Sequence, residues 1–218
     1  GQAIIHRGPD AGGVYLDDHI GLVHRRLSII DLSDAGTQPM KSSSGRYIIA
    51  FNGEIYNFRE IRKNLEVEGR TFTTGTDTEV LVELFEQKGF RCLDDLNGMF
   101  ALAIWDTRTK EVFLARDRLG KKPVYYYESG GDFAFASEIK ALLKLPFFTR
   151  QVRPDAIKDF FAYQYIPDPK TIYSNVHKLP PGYWLKTDGQ KTELHQYWDV
   201  SFSAPAYRSI QDIEDGLY

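Results

Sequence analysis

The sequence predicts an α+β fold in which helices pack in layers on mainly antiparallel β-sheets. Two patterns along the chain support this prediction. Runs rich in β-branched and aromatic residues follow one another across short polar turns, which indicates consecutive hairpins rather than βαβ units. Four segments with helical periodicity lie between these runs, and the strands are numerous enough for two sheets.

Strands are predicted for seven runs of the chain. Turns that are typical of hairpins join three pairs of them, at residues 106–110, 129–131 and 187–190. After residue 164 the chain becomes rich in proline, which predicts loops with short strands. The seven strands are expected over residues 47–52, 99–105, 111–116, 124–127, 132–136, 183–186 and 195–200.

Helices are predicted for four segments. The first begins after Asn57, which with Glu60 forms a plausible N-terminal cap. The second begins at the capping-box pair Thr76 and Glu79 and ends before Gly89. The other two are expected over residues 137–144 and 154–163.

Length and composition exclude several classes of protein. The 218 residues correspond to one or two domains, and a net charge of -3 argues against a protein that binds nucleic acid through its overall charge. The longest apolar run, residues 99–105, is too short to span a membrane. The single cysteine, Cys92, excludes an intrachain disulfide, and no Cys/His cluster has zinc spacing. We therefore predict no metal site and a reducing compartment.

The ends of the sequence predict a piece of a longer protein. The chain begins with Gly1 inside an apolar pattern, and its last stretch is polar. We expect residues 1–200 to form one domain and residues 201–218 to be a linker towards a further domain.

The dipeptide Asn52-Gly53 has two interpretations. Asn-Gly is a strong hairpin-turn signal, and on the dipeptide alone the turn is favoured. The alternative is an oxyanion hole, in which the Asn52 amide and the Gly53 backbone N–H stabilise a developing negative oxygen. A helix start at Asn57 follows instead of a partner strand, which weakens the turn interpretation.

Other polar residues are candidates for binding or catalysis. Arg26 is either a surface charge or a guanidinium that binds a carboxylate, and Asp77 is either a helix N-terminal anion or the partner of an ammonium group. Together they would suit the two charged groups of a free amino acid. His6 could act as a general base, although a loop histidine is the simpler interpretation, and Cys92 has no neighbouring histidine and is expected to be structural.

Nine motifs in the same order resemble the glutamine amidotransferase domain of glutamine-dependent asparagine synthetases. They extend over nearly the whole chain. They are HRGPD at 6–10, RLSIID at 26–31, FNGEIYN at 51–57, TGTDTEVL at 74–81, LNGMFALAIWD at 96–106, ARDRLGKKPVYYY at 115–127, FASEIKALL at 135–143, LPPGYWL at 179–185 and YWDV at 197–200.

The resemblance implies a fold and a reaction. Domains of this family are N-terminal-nucleophile hydrolases with a four-layer αββα sandwich of two mainly antiparallel sheets. Their N-terminal cysteine attacks the side-chain amide of glutamine, with its own α-amine as the base. A thioester forms, ammonia leaves and water releases glutamate. In a second domain, ATP and Mg²⁺ activate aspartate, which the ammonia converts to asparagine.

The resemblance also implies roles for individual residues. Asn52 and Gly53 would form the oxyanion hole, Arg26 would bind the glutamine α-carboxylate, and Asp77 would bind its α-amine. Arg7, in the HRGPD motif, would support the region around the nucleophile. Five further residues would line the glutamine pocket: Leu27, Ser28, Ile29, Ile30 and Glu54.

Two expected features of the family are not found in the sequence. The nucleophilic cysteine would precede the HRGPD motif, and Cys92 cannot replace it because an internal residue has no free α-amine. The ATP-binding signature SGGxDS of the synthetase domain is also missing. We therefore expect this polypeptide to bind glutamine without hydrolysing it, and we expect no cofactor in this domain, with ATP and Mg²⁺ in the synthetase domain.

The expected partners follow from the same resemblance. They are L-glutamine and the C-terminal synthetase domain of the same chain, with no nucleic acid and no membrane. Family members often pair through this domain, so a homodimer stays open; the 14% aromatic residues fit an interface and a core equally well. Asparagine synthesis implies the cytoplasm.

Two alternatives to this function stay open. The same glutaminase domain could supply ammonia to another acceptor, such as a sugar acid or a secondary metabolite. The chain could also belong to a glutamine-binding module without a nucleophile. The sequences that flank residues 1 and 218 would distinguish these cases.

Overall fold

The computed structural model describes residues 1–27, 34–201 and 211. Within these residues, eleven strands and five α-helices are joined by loops and short 3₁₀ segments. The strands are β1 (Ala11–Leu16), β2 (Gly21–Arg26), β3 (Met40–Lys41), β4 (Tyr47–Ile55), β5 (Gly98–Asp106), β6 (Glu111–Arg116), β7 (Tyr125–Ser129), β8 (Asp132–Ala136), β9 (Val176–Lys178), β10 (Tyr183–Thr187) and β11 (Thr192–Gln196). The helices are α1 (Phe58–Val67), α2 (Asp77–Lys88), α3 (Cys92–Asp95), α4 (Ile139–Leu142) and α5 (Pro154–Tyr163).

The largest sheet has six strands in the order β11-β10-β6-β5-β4-β3, and all neighbouring strands are antiparallel. Its longest ladder joins β4 to β5, from Tyr47 opposite Asp106 to Ile55 opposite Gly98. The two backbones approach closely at Gly53, where a Cβ atom would lie 2.1 Å from the Met99 carbonyl oxygen. Only glycine fits this approach.

The remaining strands and the helices complete the layers. The β1–β2 hairpin and the three-stranded sheet β8-β7-β9 provide the second β layer. Helices α1 and α2 pack on the outer face of the six-stranded sheet, and α4 packs on β8. Apolar residues fill the space between the β layers: Leu22, Ile48, Ala101, Ala103, Trp105, Val112, Leu114, Val124, Leu179 and Leu185. The predicted layered α+β sandwich with mainly antiparallel sheets is confirmed.

Local sequence signals explain helix α2. The Thr76 hydroxyl accepts a hydrogen bond from the Glu79 N–H, as the capping signal predicts. The Glu79 carboxylate does not return to Thr76, as a capping box would require; it accepts hydrogen bonds from the N–H groups of Thr73 and Thr74 instead. The helix ends before Gly89, whose φ of 57° favours glycine.

Helix α1 begins after Asn57 as predicted, but two other expectations at the ends of elements are wrong. Asn57 does not cap α1 with its side chain; its amide donates to the Asp95 carbonyl and its side-chain oxygen accepts from the Asn97 N–H, which ties α1 to the start of β5. The last strand covers 192–196 rather than 195–200, because the N–H groups of Tyr197 and Trp198 both turn to the Gly182 carbonyl.

Other differences concern segments that the sequence signals missed or overextended. The β1–β2 hairpin was not predicted, since Gly12 and Gly13 interrupt its first strand. The helix expected over 137–144 is shorter, whereas α5 matches its prediction. Most of the expected linker, 201–218, lies outside the described residues, and within the described part no helix is long and apolar enough to cross a membrane.

Candidate functional site

A cavity of about 1300 Å³ opens between the two β layers. Its walls include the end of β2, the middle of β4, the N-terminus of α2 and the 3₁₀ segment Gln2–Arg7. It brings together seven of the residues singled out from the sequence: His6, Arg7, Arg26, Leu27, Asn52, Gly53 and Asp77. Glu54 is not on the cavity wall, although it lies close enough to Asp77 for its charge to raise the pKa of that carboxyl group. Ser28, Ile29 and Ile30 lie outside the described residues.

Asn52 and Gly53 lie inside a strand. They pair with Ala101 and Phe100 in the β4–β5 ladder, so the hairpin-turn interpretation is wrong. Phe100 directs its own N–H and carbonyl towards Asp117, on the side away from β4. In an antiparallel ladder its partner Gly53 must then direct its N–H away from β5. The Gly53 N–H therefore lies at the outer edge of β4, beyond the end of β3.

The Asn52 side chain supplies a second donor. Its amide nitrogen is buried and makes no hydrogen bond within the described residues. A buried donor without a partner is costly in a folded protein, and such groups often belong to a functional site. Because Asn52 and Gly53 both line the cavity, the side-chain amide of Asn52 and the outward-directed N–H of Gly53 can both donate into the same space.

Arg26 ends β2 and is 8% exposed. Its guanidinium packs against Gly36, where a Cβ atom would lie 2.3 Å from Nη2 and 3.0 Å from Cγ2 of Thr76. A side chain at position 36 would displace one of these groups. The guanidinium is thereby placed beside the residue that caps α2, immediately before Asp77 in the chain.

Asp77 is a buried carboxylate at the N-terminus of α2. Its Oδ2 accepts a hydrogen bond of 3.0 Å from the Ile55 N–H. Burial raises the pKa of this carboxyl group above its usual value, and the neighbouring charge of Glu54 adds to the rise. Among the described residues, backbone N–H groups such as that of Ile55 lower this pKa, and Asp77 forms no salt bridge with a Lys or Arg side chain. A cationic ligand would supply the missing counter-charge.

His24 and Gln38 are among the polar residues on the cavity wall that were not singled out from the sequence. The ring of His24, on β2, donates from Nε2 to the Phe51 carbonyl at 3.0 Å, because a carbonyl oxygen can only accept. Gln38 is 6% exposed and accepts a hydrogen bond of 2.6 Å from the Phe51 N–H. Both contacts are distant in sequence, so no local pattern could have revealed them.

The pKa of His24 predicts how stability depends on pH. Burial and the nearby Arg26 lower this pKa from 6.5 to about 4. The unfolded chain therefore binds a proton near pH 6.5 that the folded protein takes up only near pH 4. We expect the free energy of unfolding to fall by up to about 3 kcal/mol between these pH values. Urea unfolding at pH 7.5, 5.5 and 4.5 measures this loss, and equal losses in the wild type and in His24→Gln would contradict it.

Arg7 lies in a charged cluster at the cavity mouth. The Glu138 carboxylate accepts from His6 Nε2 at 2.9 Å, from Arg7 at 3.3 Å and from Lys140 at 2.9 Å. Despite some desolvation, the hydrogen bonds from Lys140, His6 and Arg7 lower the pKa of Glu138 to about 2. The cluster anchors the 3₁₀ segment to the start of α4, and His6 is occupied there as a partner of Glu138.

Cys92 is far from this chemistry. It is fully buried in the apolar cluster that α2 forms with the six-stranded sheet, and it is not on the cavity wall. Burial raises the pKa of its thiol, so the thiolate is disfavoured. The placement agrees with the structural role expected for it.

The layered fold is shared with solved amidotransferases. A glutamine phosphoribosylpyrophosphate amidotransferase from B. subtilis, solved with ADP and GMP, superposes with a TM-score of 0.62 at 19% identity, over 90% of this chain and 45% of that chain. The likeness shows that the two chains share this fold, in agreement with the layered sandwich that the resemblance implied.

Sequence comparison identifies the family of this chain. Residues 1–198 match the glutamine amidotransferase domain, and the chain belongs to that family. A Methanocaldococcus jannaschii protein, provisionally named a glutamine-hydrolysing asparagine synthetase, is 39% identical over 239 residues, which cover 99% of this chain and 45% of that protein. Asparagine synthetase [glutamine-hydrolyzing] 1 of Bacillus subtilis is 36% identical over all of this chain and 35% of its own length. This chain thus spans less than half the length of these relatives.

Proposed function

We propose that this domain binds L-glutamine in the cavity and, within a longer glutamine-dependent asparagine synthetase, releases ammonia from its side-chain amide. One observation carries the proposal: the side-chain amide of Asn52 and the backbone N–H of Gly53 face a cavity that Arg26 and Asp77 also line. An anion and a cation suit the α-ammonium and the α-carboxylate of an amino acid, and paired N–H donors suit an oxyanion.

Recognition would precede the chemistry. The Asp77 carboxylate would bind the α-ammonium of glutamine and relieve its own cost of burial. The Arg26 guanidinium would bind the α-carboxylate through charge-assisted hydrogen bonds. Holding both ends of the backbone fixes where the side-chain amide lies, which lowers the entropic cost of the reaction.

The reaction would then proceed through a thioester. A cysteine thiolate forms a bond to the amide carbon, and the carbonyl oxygen takes the negative charge between the Asn52 amide and the Gly53 N–H. The C–N bond breaks as the nitrogen is protonated, and ammonia leaves. Water then attacks the thioester, which releases glutamate and restores the thiol.

We further propose that the nucleophile is a cysteine that precedes Gly1 in the longer protein, with its α-amine as the base. The position of Cys92 supports this assignment, because its buried thiol cannot reach the cavity. Residues 1–218 alone would then bind glutamine without hydrolysing it.

The rest of the longer protein would use the ammonia. The names of the two relatives support aspartate as the acceptor. We propose that ATP and Mg²⁺ bind outside this domain, which itself would need no cofactor. We also propose that the enzyme works in the cytoplasm, and that residues 201–218 link the two domains. A homodimer is part of the same proposal.

The full-length protein tests the function directly. It is incubated with glutamine, and glutamate is measured before and after treatment with a thiol-directed glutamine analogue; aspartate and ATP are then added and asparagine is measured. We expect glutamate that the analogue abolishes, and asparagine that depends on ATP. Cys92→Ala serves as the control and should retain both activities.

Two other outcomes would contradict parts of the proposed function. Glutamate that never exceeds background would contradict the catalytic function and leave a glutamine-binding module. Glutamate without asparagine would indicate a different acceptor.

A further inference from the structure

Strand β4 carries Asn52 and Gly53, the proposed oxyanion donors, and its pairing with β3 ends before these two residues. Strand β3 pairs with β4 only at Met40 opposite Ile49 and at Lys41 opposite Ile48. Beyond this point no strand of the described residues pairs with the outer edge of β4. The N–H and carbonyl of Phe51, the residue before Asn52, both point to this edge.

Two side chains form hydrogen bonds with the backbone of β4 where β3 no longer pairs with it. Gln38 Oε1 accepts from the Phe51 N–H at 2.6 Å, and His24 Nε2 donates to the Phe51 carbonyl at 3.0 Å. Both backbone groups of Phe51 are thus satisfied by side chains from different segments. Because Phe51 is itself buried, breaking either bond would leave a buried polar group unpaired.

The same bonds link the three segments that form the glutamine site. The Gln38 amide also donates to the Thr78 hydroxyl at 3.2 Å, next to Asp77 in α2. His24 lies two residues before Arg26 on β2, and the two side chains are on the same face of that strand. A single network therefore joins the strand that carries Arg26, the strand that carries the oxyanion donors and the helix that carries Asp77.

The outer edge of β4 is fixed on both sides of Gly53. The Phe51 N–H is bound by Gln38, and the Ile55 N–H is bound by the Asp77 carboxylate at 3.0 Å. The Gly53 N–H lies between these two anchored groups. A small shift of β4 would move the Gly53 N–H relative to the glutamine carbonyl oxygen to which it would donate.

We propose that His24 and Gln38 are positioning residues for glutamine hydrolysis, which hold Asn52 and Gly53 in register with Arg26 and Asp77 through their bonds to Phe51. This inference rests on the proposed function of the cavity. Neither residue needs to touch glutamine to act in this way. In the neutral His24 ring, the bond to the Phe51 carbonyl selects the tautomer that carries its proton on Nε2.

The variants His24→Phe and Gln38→Met test the proposal in the full-length protein. Each removes the hydrogen bond to Phe51 while keeping a side chain of similar bulk. We expect kcat for glutamine hydrolysis to fall by about ten- to a hundredfold, with KM changed less than about threefold, because misplaced catalytic groups reduce the rate. His24→Gln keeps an amide donor and should recover much of kcat, which a loss of packing alone would not explain.

The control is His177→Phe. His177 is also a partly buried histidine, but it stacks on Tyr126 in the second β layer and is not on the cavity wall. Its kcat should equal that of the wild type. Thermal unfolding of every variant is measured in parallel, and if His24→Phe does not fold, Gln38→Met decides the question.

The outcomes separate the two proposals. Folded variants that match the wild-type kcat would overturn the positioning role and leave the glutaminase function intact. A loss of kcat that follows the loss of thermal stability, without recovery in His24→Gln, would also overturn it. A wild-type protein that releases no glutamate would overturn the proposed function, and the positioning role with it.

Discussion

Replacing Asn52 by alanine is expected to lower kcat for glutamine hydrolysis by about a hundred- to a thousandfold in the full-length protein. The side-chain amide would donate to the oxygen only when that oxygen becomes negatively charged. The change therefore removes an interaction of the transition state, and KM should remain close to the wild-type value. Initial rates of glutamate release over a range of glutamine concentrations measure both constants.

The same variant should not unfold the protein. The Asn52 amide nitrogen makes no hydrogen bond within the described residues, so alanine breaks no bond and removes a buried donor that has no partner. The free energy of unfolding should therefore not fall. Asn64→Ala, on the exposed surface of α1, is the matched control and should keep the wild-type kcat. A variant with raised KM and unchanged kcat would show that Asn52 binds the substrate rather than the oxyanion.

The sequence could predict the elements whose signals are local. Helix α2 has its cap at Thr76 and its stop at Gly89, both within one turn of the helix ends. Helix α5 begins at Pro154, whose fixed φ suits the first turn, and it matches the expected range. The order of the motifs was sufficient to place the chain in a family and thereby to imply its sandwich fold.

The neighbouring sequence could not show whether Asn52-Gly53 forms a hairpin turn or lies within a strand. A tight turn and a close approach of two strands both require glycine, so the dipeptide is compatible with either. The pairing of Gly53 with Phe100, 47 positions later, decides between them. Likewise, His24 and Gln38 acquire their roles through Phe51, which is 27 and 13 residues away. Local patterns carry no information about such contacts.

Replacing Arg26 by alanine is expected to raise KM for glutamine by about ten- to a hundredfold. A hydrogen bond between charged groups contributes about 1.5–3 kcal/mol, and each 1.36 kcal/mol is tenfold in affinity. Lysine should not restore the wild-type value, because an ammonium group cannot form the two parallel hydrogen bonds of a guanidinium with a carboxylate. Arg59→Ala, at an exposed position on α1, is the control and should leave KM unchanged.

Substrate analogues show whether Arg26 and Asp77 each recognise the end of glutamine that is assigned to them. An analogue without the α-carboxylate should bind equally well to the wild type and to Arg26→Ala, because the group that Arg26 would contact is already missing. An analogue without the α-amine should still distinguish these two proteins, but not the wild type from Asp77→Asn. If both variants instead weaken the binding of both analogues to the same extent, Arg26 and Asp77 support the shape of the cavity and do not bind the charged groups of the amino acid. The reciprocal pattern requires that the α-carboxylate and the α-ammonium of one ligand are bound by separate charged groups, for which the buried Arg26 and Asp77 are the candidates.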